Sequence, residues 1–296
     1  MRHIHRLIIA ATLLVSCNVF AWDVFIDGVD WRITETDDWA YVNSETLPQQ
    51  TIAYQTIDFS YTPGFRIGTI YRSTWDALLS YTRVYATANE SAVGNIQPAF
   101  LGSVNAKPST SYLYQSGQVR QTVDYNIVDL NVGKQFHLAG AFMVHPIVGL
   151  MGGWINQAFY ASYQGSTSSQ EKIVNNFAGL GPKAGMDITI GLYHYHDDEV
   201  SLIGTFAASY LLGHWNVSDV TTVVPPQTIV IDGISRSMGA LTLQGGMGFQ
   251  VQHKNIAIKL VYEINDWFDQ AQFFDNDTGA HNNDLILQGL TLGISC

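Results

Sequence analysis

The stretch NFAGLGPKAGMDITI, residues Asn176 to Ile190, sorts its side chains by parity. Ala178, Leu180, Pro182, Ala184, Met186 and Ile188 fall on one side of an extended chain, and Gly179, Gly181, Lys183, Gly185, Asp187 and Thr189 fall on the other. Strand side chains alternate between faces, so the pattern predicts a strand with one face for an apolar medium and one for water. Leu241, Leu243, Gly245, Met247, Phe249 and Val251 repeat it against Thr242, Gln244, Gly246, Gly248, Gln250 and Gln252. Ile256, Ile258, Leu260, Tyr262 and Ile264 do so against Lys259, Glu263 and Asn265. A soluble sandwich also alternates, but its wet face would carry mainly Lys and Glu. Gly, Thr and Gln on that face fit a transmembrane β-barrel, in which lipid-facing and lumen-facing positions alternate.

Composition agrees. Hydrophobic residues make up 47% of the 296 and charged residues only 13%, about half the charge of an ordinary soluble domain. Beyond the N-terminus, every apolar run is interrupted before the 18 residues that a helical span needs. Disorder is ruled out by 36 aromatic residues (Trp 7, Tyr 15, Phe 14) and a mean hydropathy of +0.06.

Weaker alternation places further strands near residues 22–34, 56–72, 75–86, 121–136, 141–160, 200–213 and 285–296, giving ten. The connections alternate in length. Long ones fall at 35–55, 87–120, 161–174, 214–236 and 266–284, and short ones at 73–74, 137–140, 191–199 and 253–255. Long extracellular loops, short periplasmic turns, an even strand number and both termini in the periplasm are the plan of a bacterial outer-membrane barrel. A hairpin hidden in 87–120 would raise the count to twelve. Trp22, Tyr71, Trp75, Tyr210, Trp215, Trp267 and Phe268 lie near strand ends, where interfacial girdles are expected. Pro146 and Pro182 interrupt strand patterns and call for bulges.

Met1–Ala21 reads as a secretory signal, with Arg2 and Arg6 before the apolar Leu7–Val15 and small residues up to Ala21. The barrel domain then spans 22–296. Leu14-Val15-Ser16-Cys17 offers a competing lipoprotein processing site. Cleavage after Ala21 removes Arg2 and Arg6, leaving 12 basic against 25 acidic residues, a net −13 in place of −11. That balance argues against nucleic acid as a partner. Cys17 and Cys296 cannot form a disulfide framework, so stability must come from the hydrogen-bond ladder. The sequons at Asn89, Asn216 and Asn276 read as chance matches in polar segments.

Several segments together resemble one family, the Legionella-type major outer membrane proteins, also found in chlamydia-like bacteria. They are Pro63-Gly64-Phe65-Arg66-Ile67-Gly68 with Trp75-Asp76, Asp129-Leu130-Asn131-Val132-Gly133-Lys134, Gly153-Trp154-Ile155-Asn156-Gln157, and Asn175 through Gly185. Asp266-Trp267-Phe268, Gln272-Phe273-Phe274 and the closing Leu287–Gly293 complete the set, which runs from about residue 56 to the end. The resemblance implies an outer-membrane β-barrel with a porin-like or surface-structural role and no enzymatic activity or cofactor. Outer-membrane lipid, the barrel-assembly machinery, and small solutes or ions become the expected partners, with a homo-oligomer and host-surface contact as further ones. Barrels of this kind usually end in an aromatic residue that the assembly machinery reads, and here Cys296 takes that place, on the lipid-facing parity of Leu290, Leu292 and Ile294.

The inward parity carries Arg66, Asp129, Asn131, Lys183, Asp187, Lys259 and Glu263 as pore-lining candidates. They could set ion selectivity at a constriction. They could equally pair with one another and plug the barrel, since a barrel near eight strands is just filled by its side chains. Two other clusters carry possible chemistry. His194, His196, Asp197, Asp198 and Glu199 crowd one short turn, read as a solvated connector in place of a metal site. Asp37, Asp38, His214, Asp219, Asp266 and His281 lie toward the outer rim, where an Asp/His hydrolase would sit, but no nucleophile motif accompanies them. The acidic loops, with Glu35, Asp37, Asp38 and Glu45 in the first and Asp266, Asp269, Asp275, Asp277 and Asp284 in the last, read as a solvated face, with calcium as the alternative.

Overall fold

The computed structural model describes residues 22–35, 38–46, 49–99, 114–224, 227–275 and 279–296. The signal segment with Cys17, Asp37, and the stretch 100–113 proposed for a hidden hairpin lie outside the described residues. Thirteen strands form one antiparallel sheet. They are β1 (Trp22–Thr34), β2 (Asp38–Thr46), β3 (Gln49–Thr56), β4 (Thr62–Tyr71), β5 (Asp76–Pro98), β6 (Tyr114–Gly133), β7 (Phe136–Ala139), β8 (Phe142–Gly165), β9 (Ser168–Tyr195), β10 (Asp198–Val224), β11 (Gln227–His253), β12 (Ile256–Asp275) and β13 (Gly279–Ser295). Ten of them close a barrel, the number read from the sequence. The wall runs β1, β4, β5, β6, β8, β9, β10, β11, β12, β13, and returns to β1 through pairs from Phe25↔Ser295 to Thr34↔Ile286. The backbones of Val24 and Cys296 exchange hydrogen bonds of 3.0 and 3.1 Å at the end of that seam. β5 pairs directly with β6 up to Ile96↔Tyr114, so no further hairpin enters the wall there. The additional strands are β2 and β3, which pair with each other and join β5 through three pairs of β2, and the short β7.

The connections differ from the long and short loops expected at one end. The described residues of segments 161–174, 214–236 and 266–284 form mainly the upper parts of paired strands: β8 and β9 turn over at residues 166–167, β10 pairs β11 as far as Val223↔Gln227, and β12 pairs β13 as far as Asp275↔Gly279. β9 alone has 28 residues, about 90 Å of strand at 3.3 Å per residue, where a tilted crossing needs only ~9–11 residues. The alternation fades in these parts because outward positions become polar while the ladder continues.

That change is abrupt and occurs at one level around the barrel. On outward positions Val128 gives way to Asn126 on β6, Trp154 to Asn156 on β8, Ala178 to Asn176 on β9, Leu212 to His214 on β10, Ile264 to Asp266 on β12 and Leu290 to Gln288 on β13. Below that line lies an exposed apolar belt including Leu180, Leu212, Met247, Phe249, Leu260 and Leu292. It occupies the half nearest the termini and the turns His196–Asp197 and Lys254–Asn255. Both of these turns use a left-handed residue, His196 and Lys254, each at φ 53°.

Parity also revises two expectations. Trp22, Tyr71, Trp75 and Tyr210 are exposed on the outer face as a girdle requires, and Trp22 and Tyr71 pack with ring centroids 5.0 Å apart. Trp215 and Trp267 belong to the inward parity and are buried inside the barrel, at 1% and 0% exposure. Neither proline needs a bulge. Pro146 sits where β8 leaves β7 and meets β6, so its missing N–H falls in a gap of the ladder, and its carbonyl accepts from the Lys134 N–H at 3.4 Å. Pro182 falls where the β9–β10 pairs skip from Ser209↔Lys183 to Leu212↔Leu180.

The belt predicts a depth dependence for charge. Leu260→Lys, at its middle on β12, should destabilise the folded barrel by about 2–4 kcal/mol, and Asn156→Lys, just beyond its edge, by less than ~1 kcal/mol. Urea unfolding in lipid vesicles measures both, and equal costs would misplace the belt.

Candidate functional site in the barrel interior

All seven inward candidates, Arg66, Asp129, Asn131, Lys183, Asp187, Lys259 and Glu263, line one cavity of about 750 Å³ in the half of the barrel that carries the termini. The three cations among them are paired with carboxylates in place. Arg66 donates two bonds to Glu263, Nη1 to Oε1 at 3.0 Å and Nη2 to Oε2 at 2.8 Å, and reaches Asp27 Oδ2 at 3.3 Å. Its Nε donates to Thr82 Oγ1 at 3.0 Å. Lys259 Nζ approaches the same Asp27 oxygen at 3.1 Å, and Lys183 Nζ donates to Asp129 Oδ1 at 2.7 Å. Asp187 contacts His145 Nδ1 at 3.2 Å, while Asp76 lies 3.8 Å from the other ring nitrogen.

Sequence reasoning missed Asp27, Asp76 and His145, although the odd parity of Asp27 with Phe25, Val29 and Trp31 placed it inward. The local sequence makes room for these pairs with glycine. A Cβ on Gly293 would lie 2.2 Å from Asp27 Oδ1 and 2.5 Å from Lys259 Cε, and one on Gly149 would lie 2.6 Å from Asn131 Oδ1.

Above the charges the interior turns apolar. Ring contacts run from wall to wall: Trp31 to Tyr125 (6.5 Å), Tyr125 to Trp267 (5.9 Å), Trp267 to Phe177 (6.0 Å) and Phe177 to Trp215 (4.4 Å). These residues come from β1, β6, β12, β9 and β10. Each indole N–H has a partner: Trp31 donates to Thr291 Oγ1 at 3.2 Å, Trp267 to Tyr125 Oη at 3.2 Å, and Trp215 to the Gln270 carbonyl at 3.3 Å. Buried indoles with satisfied N–H groups act as fixed spacers. Glycines again shape the tier, since Phe177 lies where a Cβ on Gly213 would come within 2.0 Å of its Cε2.

Trp31, Val84, Tyr125, Ile155, Phe177, Leu211, Ala240, Trp267 and Leu287 fill this level from nine of the ten wall strands, and none is more than 1% exposed. A passage wide enough for water would wet at least one of them, so the tier is a seal. It lies at the edge of the apolar belt.

Beyond the seal, Glu35 accepts from the amides of Gln121 and Gln157, and Asn175 donates to Gln157 Oε1 at 2.9 Å and the Gln270 carbonyl at 3.0 Å. Trp39 from β2 then stacks on Tyr163 at 5.9 Å, and Tyr163 Oη donates to the Trp39 carbonyl at 2.9 Å. Burial, with Glu171 and Tyr114 adding to it, pushes the Tyr163 phenol well above its ordinary range, which keeps it a donor.

The described rim residues are spread over several strands and both faces of the wall. His214 is exposed on the outer face of β10 and hydrogen-bonds Ser237 at 3.4 Å and Ser235 at 3.2 Å, while Asp219 is buried on the inner face of the same strand. Asp38 belongs to β2, Asp266 lies on the outer face of β12, and His281 belongs to β13. His194 and His196 sit at an exposed turn, and no group of three metal-ligating side chains occurs among the described residues.

Two substitutions probe the interior. Glu263→Gln strands Arg66 beside Asp27 and should destabilise the barrel by about 3 kcal/mol. Gly213→Ala should cost about 1–3 kcal/mol by displacing Phe177. Urea midpoints unchanged from the parent would contradict this packing.

The model of the Legionella pneumophila major outer membrane protein precursor family matches residues 14–296. No curated protein matches significantly. Solved barrels resemble the chain at low identity. The outer membrane protease OmpT from Escherichia coli is 10% identical, with 93% of this chain and 95% of that one covered and a TM-score of 0.42. The transport unit of the autotransporter AIDA-I from Escherichia coli is 12% identical, with 95% and 91% covered and a TM-score of 0.30. The Pseudomonas putida toluene transporter TodX is 8% identical, with 93% and 88% covered and a TM-score of 0.25.

Proposed function

The chain belongs to the Legionella major outer membrane protein family, and from the filled interior of its barrel we propose that it is a closed structural barrel, not a diffusion pore. Its work on this reading is to hold a tall β-walled projection at the cell surface, available for contact, without enzymatic activity. The observation that carries this is the aromatic seal from Trp31 to Trp215, dry on every strand that contributes to it. Ten strands also leave an interior close to the size that side chains fill, whereas wide aqueous channels need about sixteen.

The orientation that follows puts both termini and the short turns in the periplasm, where the barrel-assembly machinery delivers the chain, and the long hairpins outside. With nine residues beyond the belt on β9, Ser168 to Asn176, and eleven on β10, His214 to Val224, the projecting hairpins stand about 20–25 Å above the lipid at a tilt near 45°. Passive diffusion of ions or small solutes is the second reading. It draws on the charged cavity of about 750 Å³, which would serve as a vestibule if the seal moved aside.

Planar-bilayer recording separates the two. The parent protein should insert without conductance, and Phe177→Ala combined with Trp267→Ala should introduce brief openings by removing the centre of the seal. Steady conductance from the parent protein, with a cation preference altered by Lys183→Glu, would overturn the closed reading in favour of the pore.

A further inference from the structure

The outer face of the projecting wall carries a groove of about 780 Å³ that crosses β5, β6, β8, β9 and β10. Its floor is a cross-strand row in register: Asn89 opposite Arg120, Arg120 opposite Tyr160, and Tyr160 opposite Lys172. Arg120 and Lys172 thus flank Tyr160 across two strand spacings, about 10 Å apart at Cα. All three side chains are exposed, and Lys172 Nζ sits 5.5 Å from the centre of the Tyr160 ring. Gln118, Ser162 and Gln170 supply neutral hydrogen-bonding groups around them. The acidic residues that border the groove, Glu90 and Glu171, belong to the inward parity, and Glu171 is only 2% exposed.

Two features mark this cationic pair. Three arginines that reach the outer surface are matched to carboxylates, Arg32 to Asp58 at 3.2 Å, Arg83 to Asp124 at 3.4 Å, and Arg72 to Asp23. Lys134 and Lys254, which like Arg120 and Lys172 have no such partner among the described residues, lie at the opposite end of the barrel beside the short turns. Arg120 and Lys172 have no carboxylate within salt-bridge distance among the described residues, in a chain of net charge −11. The second is height. Arg120 stands six residues beyond Asn126, the first polar outward position on β6, and Lys172 stands four beyond Asn176 on β9. At about 3.3 Å per residue and a tilt near 45°, the pair lies ~9–14 Å above the belt. A phospholipid headgroup layer reaches only about 6 Å, whereas the saccharide of a glycolipid fills that height.

We propose that this groove binds the phosphorylated saccharide headgroup of an outer-leaflet glycolipid of the lipopolysaccharide type, from the bilayer that surrounds the barrel. Arg120 and Lys172 engage its phosphates, the arginine through its planar fork and the lysine as a point charge. Tyr160 offers a sugar ring an apolar face between them. The placement rests on the proposed orientation, with the hairpins outside the cell, and that premise has its own test. A thiol reagent that cannot cross membranes should label Thr167→Cys in a Cys296→Ser background on intact cells, and failure to label would overturn the orientation.

Binding is measured on folded, lipid-stripped protein in detergent, where orientation plays no part. Extracted lipopolysaccharide should bind at least tenfold more tightly than the same material with its phosphates removed, and the preference should weaken with added salt. Arg120→Ala combined with Lys172→Ala should abolish the preference while keeping the heat-modifiable migration of a folded barrel, and Arg83→Ala should leave the preference intact. Equal binding of the two lipids by the parent protein, or a preference that survives in the double variant, would overturn the proposal. Displacement by inorganic phosphate at equal concentration would reassign the groove to a free anion.

Discussion

A backbone amide or carbonyl without a partner in hydrocarbon costs several kcal/mol, and no water is present to relieve it. The pairing of β1 with β13 removes the two edges at which that cost would fall. Closure fixes the rest. Ten strands in a ring give a narrow interior, and with the register set, every second residue must enter that interior whatever its chemistry. The wall therefore decides what the lumen must accommodate, and the sequence accommodates it by tiers.

Those tiers follow one rule, that each inward cation meets a carboxylate and buried aromatic groups touch. The cations Arg66, Lys183 and Lys259 meet Glu263, Asp27 and Asp129 within 3.3 Å. A pair of this kind contributes little net stability, but losing one partner is expensive, so the arrangement fixes the neighbours more than it strengthens them. The aromatic tier contributes apolar contact and registers opposite walls against each other. Glycines 149, 213 and 293 are the counterpart of the large side chains, giving up volume where a charge or a ring needs it.

The belt was legible in the sequence because lipid imposes a strict period on Ala178–Ile188 and on Ile256–Ile264. Strand number and inward parity followed from the same signal. The upper wall was not legible as strand. Beyond Asn176 both faces carry polar groups, so Gln170, Lys172 and Asn175 show no contrast with their neighbours, although the hydrogen-bond ladder runs on. Trp215 and Trp267 were misassigned for a related reason: their nearness to strand ends suggested an interfacial girdle, while only parity showed that they point inward. Whether the inward charges face one another depends on the shear of the barrel, which no single strand encodes.

The upper wall also has a mechanical consequence. Because β9 and β10 are each one continuous strand from the turn at His196–Asp197 to Ser168 and Val224, paired along most of that length, a load on the hairpin tips passes into the segment held by lipid. Pulling along the strands shears many ladder bonds in parallel instead of peeling them one at a time. The protein is thus built less like a tether with flexible loops than like a stiff mast stepped in the membrane, able to transmit force and orientation from whatever touches its top.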